Sequence, residues 1–303
     1  MRIQISGLAL ALVLFLAGLG TGFSKDIPKD SVKDSVMLTA GSKDSDDRQD
    51  SLKNTLVLGL AASNNSYFFG RSTETKYPYL TTDVTYKFRS GIWFSAALFN
   101  IFNTASVVDE TDLSAGYNFS FTDRLSGSLS YARYIYGPDN PLIKSAVSNI
   151  ATSNLGLDWS YLYTSLTTSY IFGGSNDIFI SLNNSRYFEK KGLLAAADYL
   201  GIEPAANLLW GTQTFTQTYT NSRNDNQPVK SRNPKAPTSS VTTTTETQFS
   251  LLNYGFTLPV TYGYKNSALE LSWRFLVPVN APAEYNTRPQ SFFTITFLQV
   301  FQN

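Results

Sequence analysis

The residue types able to do acid–base or nucleophilic chemistry are few in this chain. Histidine and cysteine are both absent. No side chain therefore titrates near neutrality at its ordinary pKa, and no thiolate, disulfide or thiolate-held metal can form. Serine is plentiful, yet none has an evident base beside it. A carboxylate-only site is the one catalytic arrangement left open in principle. No phosphate loop, metal-ligand cluster or dinucleotide fingerprint occurs. The sequence predicts no enzyme and no cofactor.

The charged side chains that could act otherwise fall in alternating segments. Thr81, Asp83, Thr85, Lys87 and Arg89 alternate with Leu80, Val84, Tyr86 and Phe88; Asp112, Ser114, Gly116 and Asn118 alternate with Leu113, Ala115, Tyr117 and Phe119. Glu270, Ser272 and Arg274 alternate with Leu269, Leu271, Trp273 and Phe275, and Asp158 ends a further segment. Period two marks strands with one apolar and one polar face. If the polar faces line an interior, Asp83, Lys87, Arg89, Asp112, Asp158, Glu270 and Arg274 form a mixed-charge lining. Such a lining either filters solutes by size and charge or pairs across a narrow bore and fills it. Both readings stand at this point.

Composition says what kind of sheet this is. Aromatic residues reach 14% and charged residues only 16%, where a soluble domain carries about a quarter charged. The 24 basic and 23 acidic side chains nearly cancel, so nucleic acid is not an expected partner. The alternating segments run to about ten to thirteen residues, longer than the five or six of a soluble strand and close to the nine to eleven of an outer-membrane strand. Aromatic pairs such as Tyr77 and Tyr79, Tyr134 and Tyr136, and Tyr262 and Tyr264 gather toward strand ends, as interfacial girdles do. The fold expected is all-β, a transmembrane antiparallel up-and-down β-barrel of twelve strands. Ten is the alternative, if Leu155–Phe172 is one long strand and Ile202–Phe215 sits in an outer loop.

Twelve strands begin near Lys53, Pro78, Gly91, Asp109, Leu125, Asn149, Thr164, Asp177, Ile202, Thr247, Ser267 and Ser291. Short turns at 89–91, 122–124 and 265–267 contrast with long polar connections at 63–76, 137–148, 217–248 and 279–290. Outer-membrane barrels keep short turns on the periplasmic side and long loops outside. Ahead of the strands, residues 1–24 read as a secretory signal, with Arg2 preceding the apolar run Leu8–Leu19. Residues 25–52 are polar and repetitive and read as a flexible periplasmic tether. The barrel itself is expected over 53–303.

The stretch GLDWSYLYTSLTTSYIFGGSNDIFISLNNSRYFE (Gly156–Glu189), the segment LLWGTQTF (Leu208–Phe215), and a tail running from SLLNYGFTLPVTYGYKNSALELSWRFLVP to SFFTITFLQVF resemble a group of outer-membrane barrels from Bacteroidota. The resemblance covers most of the chain after Lys53. It implies fold and location and carries no activity. In the tether, Asp30-Ser31-Val32, Asp34-Ser35-Val36 and Asp50-Ser51-Leu52 are similar to the short O-glycosylation motif of those bacteria, which would make Ser31, Ser35 and Ser51 acceptors. The plain alternative is a solvated spacer that matches by chance.

An outer-membrane barrel implies outer-membrane lipid, lipopolysaccharide and the barrel assembly machinery as partners. Arg223, Lys230, Arg232 and Lys235 outnumber Asp225 and Glu246 in the 217–248 connection, which suits either an anion-contacting loop or a plain solvated one. No other protein partner is indicated. The functional expectation is a passive or weakly selective channel for small solutes. The alternative is a non-conducting barrel acting as an accessory or surface-interaction protein.

Overall fold

The computed structural model describes residues 53–72, 75–137, 140–141, 147–173, 176–221, 240–280 and 287–302, with side chains undescribed over 213–247. The regular elements among them are strands throughout. The first half of the wall is β1 Thr55–Ser63, β2 Tyr79–Lys87, β3 Ile92–Ile101, β4 Glu110–Ser120, β5 Leu125–Tyr136, β6 Asn149–Asp158 and β7 Tyr163–Phe172. The second is β8 Asp177–Ser185, β9 Phe188–Lys191, β10 Asp198–Ile202, β11 Ala205–Asn221, β12 Ser240–Tyr264, β13 Ser267–Pro278 and β14 Gln290–Gln302.

These segments form a closed antiparallel barrel of twelve strands. β9 continues the line of β8, and β10 that of β11, so each pair counts as one interrupted strand. Pro204 stands at the second interruption, where it can donate no ladder hydrogen bond. Closure comes from β1 against β14, with Thr55 opposite Gln302 and Ser63 opposite Thr294. The first and last strands of the array are thereby paired to each other, and neither is left as an open edge. The uncertain region resolves in favour of twelve: a turn at 159–162 separates β6 from β7, and Ile202 and Trp210 lie in the wall.

Short connections 88–91, 121–124, 159–162, 192–197 and 265–266 lie at one end of the barrel, called the turn end, together with both ends of the strand array. The opposite, loop end carries the long connections, and also the short one between Phe172 and Asp177. The 217–248 connection is shorter than the sequence suggests. β11 and β12 stay paired as far as Asn221 opposite Ser240, beyond the last pairing of either with its other neighbour. The threonine-rich flanks explain this, because β-branched residues favour extended pairing.

Alternation places large apolar side chains outside. Val84, Phe94, Leu113, Tyr117, Leu129, Leu155, Leu166, Leu271 and Ile295 are all exposed on the outer surface. The inward phase instead holds Thr85, Ser95, Ser114, Ser128, Ser130, Thr152, Asn154, Thr167, Ser181, Asn183, Asn207, Thr257, Ser272 and Thr296. At three places a glycine on the next strand receives a large inward ring. Trp93 lies on Gly116, Tyr163 on Gly156, and Tyr199 on Gly263. A Cβ at any of these glycines would collide with the ring, so the rings lie flat along the wall instead of reaching into the bore.

Candidate functional site: the lumen and its loop-end closure

The connection between β1 and β2 shapes the loop end. Its base is pinned by Asn65, whose Oδ1 accepts the N–H groups of Ser66 and Tyr77, both at 2.9 Å. Beyond that base the chain forms a miniature hairpin. Phe68 N–H donates to the Arg71 carbonyl at 2.8 Å, and Arg71 N–H donates back at 3.0 Å. The two central residues, Phe69 and Gly70, have φ of 45° and 72°, the pairing of left-handed residues that a type I′ turn demands. Glycine accepts such a φ freely and phenylalanine does not.

This hairpin reaches across the barrel. Tyr67 packs on Phe292 of β14, with ring centroids 4.9 Å apart, and beneath the Arg274 guanidinium of β13 at 4.6 Å. Gly70 lies against Asn253 of β12. Arg71 donates from Nη2 to the Thr212 carbonyl of β11 at 3.1 Å and lies 5.7 Å from the centre of the Phe179 ring. Phe69 stacks on Phe179 of β8, with centroids 4.1 Å apart and planes 14° from parallel. Around the ring of strands β8 stands nearly opposite β1, so the hairpin spans the mouth. A buried cluster of Val147, Ile150, Ile171, Phe179, Leu209 and Leu252 receives Phe68, Phe69 and Tyr134 there.

Toward the turn end the inward face is polar and mostly small. Asp83 lies against Gly59, whose missing side chain leaves room for the carboxylate. Glu270 accepts a hydrogen bond from Thr261 at 3.2 Å. Glu203, at the interruption between β10 and β11, is 5% exposed.

The seven charges singled out from sequence do not form one constellation. Asp83, Lys87, Asp112, Glu270 and Arg274 share the inward phase of their strands. Arg274 sits at the loop end, where its Nε donates to Thr257 Oγ1 at 3.3 Å. Asp158 closes β6 and accepts the Ser160 N–H at 2.6 Å in the turn. Arg89 lies past the end of β2 in an exposed turn, not on the lumen wall, because the alternation stops at Lys87 and Phe88 N–H already bonds across the turn to Ile92. Ser31, Ser35 and Ser51 lie outside the described residues, as do the signal and the tether.

Sequence reasoning missed the hairpin. The 63–76 connection reads as polar overall, yet Tyr67-Phe68-Phe69-Gly70 interrupts it. Three consecutive aromatics in a loop were the available signal, since such side chains seek burial wherever the loop can fold back.

Comparison with known proteins gives architectural likenesses only. No family model matches the chain, and no curated protein does. Among solved structures, the KdgM porin is similar with a TM-score of 0.45 and 9% identity, covering 82% of this chain and 99% of that one. The NanC porin gives 0.41 and 8%, covering 80% and 98%. LpxR from Salmonella typhimurium gives 0.42 and 14%, covering 82% and 100%. These values are too low to carry any inference about solute or activity.

Proposed function

We propose that the chain is an outer-membrane pore of a Gram-negative bacterium, passing small solutes passively or with weak selectivity. One observation carries this reading. The closed barrel presents an apolar belt outward and a wall of serine, threonine, asparagine and glycine inward, the arrangement suited to lipid outside and water inside. On that reading residues 1–24 direct export, 25–52 form a periplasmic tether, and the turn end faces the periplasm. The segments quoted above favour a Bacteroidota host. Outer-membrane lipid and lipopolysaccharide contact the belt, and the barrel assembly machinery inserts it. With no histidine in the chain, the lumen is read as a passage and not as a catalytic site.

Purified protein added to planar bilayers should give stepwise conductance. A second reading, a non-conducting accessory barrel, draws support from the hairpin lying across the mouth. Folded, heat-modifiable protein that inserts yet never produces steps would favour that second reading and reject the first.

A further inference from the structure

We propose that the Phe68–Arg71 hairpin is the size-determining constriction of the lumen, with Phe69 and Arg71 its specificity-determining residues; this deepens the pore reading and rests on it for what the constriction selects. The hairpin crosses the mouth from β1 to the opposite wall, where the Phe69–Phe179 stack and the Arg71–Thr212 hydrogen bond fasten it, while Ser72 Oγ, donating to Gln290 Oε1 at 2.8 Å, ties its return limb to β14 beside β1. A segment merely folding back to hide its aromatics could settle on the nearest wall. This one reaches the far wall and holds Phe69 at a left-handed φ of 45° to do so, a backbone state that persists only where surrounding contacts determine it. Solutes reaching the Ser/Thr/Asn wall from the loop end must pass beside this hairpin. Its contacts therefore set the largest cross-section admitted, and small uncharged or weakly charged polar molecules are the class that fits.

The chain has no cysteine, so a single introduced thiol reports on access without background. Ser181 points inward on β8, two positions beyond Phe179 toward the turn end. Ser181→Cys should be labelled on whole cells by a small maleimide but only slowly by a polymer-bearing one. Adding Phe69→Ala and Arg71→Ala should speed the bulky reagent about tenfold, the population change that an aromatic pair and a hydrogen bond together restrain, and leave the small reagent's rate nearly unchanged. Equal bulky-reagent rates in both backgrounds would overturn the constriction. Heat-modifiable mobility on gels confirms that each variant is folded. Should the double alanine variant misfold, Phe69→Cys with Phe179→Cys replaces it, bridged by a short bis-methanethiosulfonate that forms a disulfide with each thiol and releases methanesulfinate. Reduction should then widen the polymer-exclusion limit in bilayers, and no change on reduction counts against the proposal. Labelling relieved without conductance in any variant would keep the constriction and remove the pore. Conductance with an exclusion limit indifferent to both residues would do the reverse.

Discussion

Phe69, on the connection that leaves β1, stacks 4.1 Å from Phe179 of β8, a strand that stands nearly opposite β1 in the ring. The stack holds a residue whose backbone pulls against it, since Phe69 has φ of 45°. Two effects therefore oppose each other at one position. Glycine there removes the ring and also the backbone cost, whereas alanine removes the ring and keeps most of the cost. Phe69→Gly should accordingly destabilise the barrel less than Phe69→Ala, by about 1 kcal/mol. The midpoint of heat-induced unfolding on unboiled gels reads this order, and the reverse order would show that the turn is not held as described.

Phase along the strands is open to a direct check. Val84, Tyr117 and Leu271 are 40%, 46% and 56% exposed on the outer face, while Thr85, Asn118 and Ser272 face inward. Arginine at each of the first three should cost about 2 to 4 kcal/mol if the outer face meets lipid near mid-membrane. Arginine at the second three should cost less, because the lumen is polar. Assembly yield and heat stability in detergent micelles and liposomes measure the difference. Equal losses in the two sets would place lipid on neither face.

Gly116 and Gly192 separate two reasons for having no side chain. At Gly116 a Cβ would run into the Trp93 indole and the Leu129 carbonyl. At Gly192 nothing lies within 4 Å, but φ is 68°. Gly116→Val should therefore disturb packing by about 1 to 3 kcal/mol, with a changed tryptophan emission spectrum. Gly192→Ala should cost about 1 kcal/mol or less and leave the spectrum alone. An unchanged spectrum in Gly116→Val would mean that the indole does not lie on that glycine.

Much of this architecture was legible in advance, and the reasons are local. Strand positions follow from period two, so starts such as Leu125, Asn149, Asp177 and Ser267 could be read directly from alternation and turn residues. The interrupted strands were harder. Arg186-Tyr187 and Glu203-Pro204 break pairing without ending the wall, and a one-dimensional pattern cannot distinguish a pause from a turn. Charges could be assigned to a phase but not to a height, which is why Arg89 and Arg274 looked equivalent in sequence. The hairpin was the least legible element. Its role comes from contacts with Phe179, Thr212 and Asn253, partners far along the chain that no local pattern reveals.

The β9–β10 turn depends on one carboxylate. Asp198 is fully buried and accepts the N–H groups of Leu193, Leu194 and Ala195 at 2.7, 2.8 and 2.9 Å, with the Tyr262 hydroxyl at 3.0 Å. Asp198→Ala removes the shared acceptor of these part-buried donors and should cost about 1 kcal/mol or more. Tyr262→Phe removes one donor and should cost about 1 kcal/mol. Limited proteolysis at 192–197 should show the first variant opening there well before the barrel unfolds. Cutting no faster than in the unmodified chain would show that the turn holds without Asp198.

Arg89 and Arg274 provide the final separation, between a charge on the path and one beside it. Arg274 lies at the loop end over Tyr67, next to the hairpin, where the proposed bore is narrowest and a fixed charge acts on every passing ion. Arg89 lies in an exposed turn with its backbone N–H bonded to Asn54 Oδ1, and salt screens it over about 8 to 10 Å at physiological strength. If the barrel conducts, Arg274→Gln removes positive charge from the path. The reversal potential under a salt gradient should then move toward cation preference, and at low salt more than at high. Lys87, at the turn-end limit of the inward face, should give a smaller shift in the same direction. Arg89→Gln should give none. A shift from Arg89→Gln as large as that from Arg274→Gln would mean that Arg89 also acts on the ion path, and that the charge ordering along the lumen drawn from these strands is wrong.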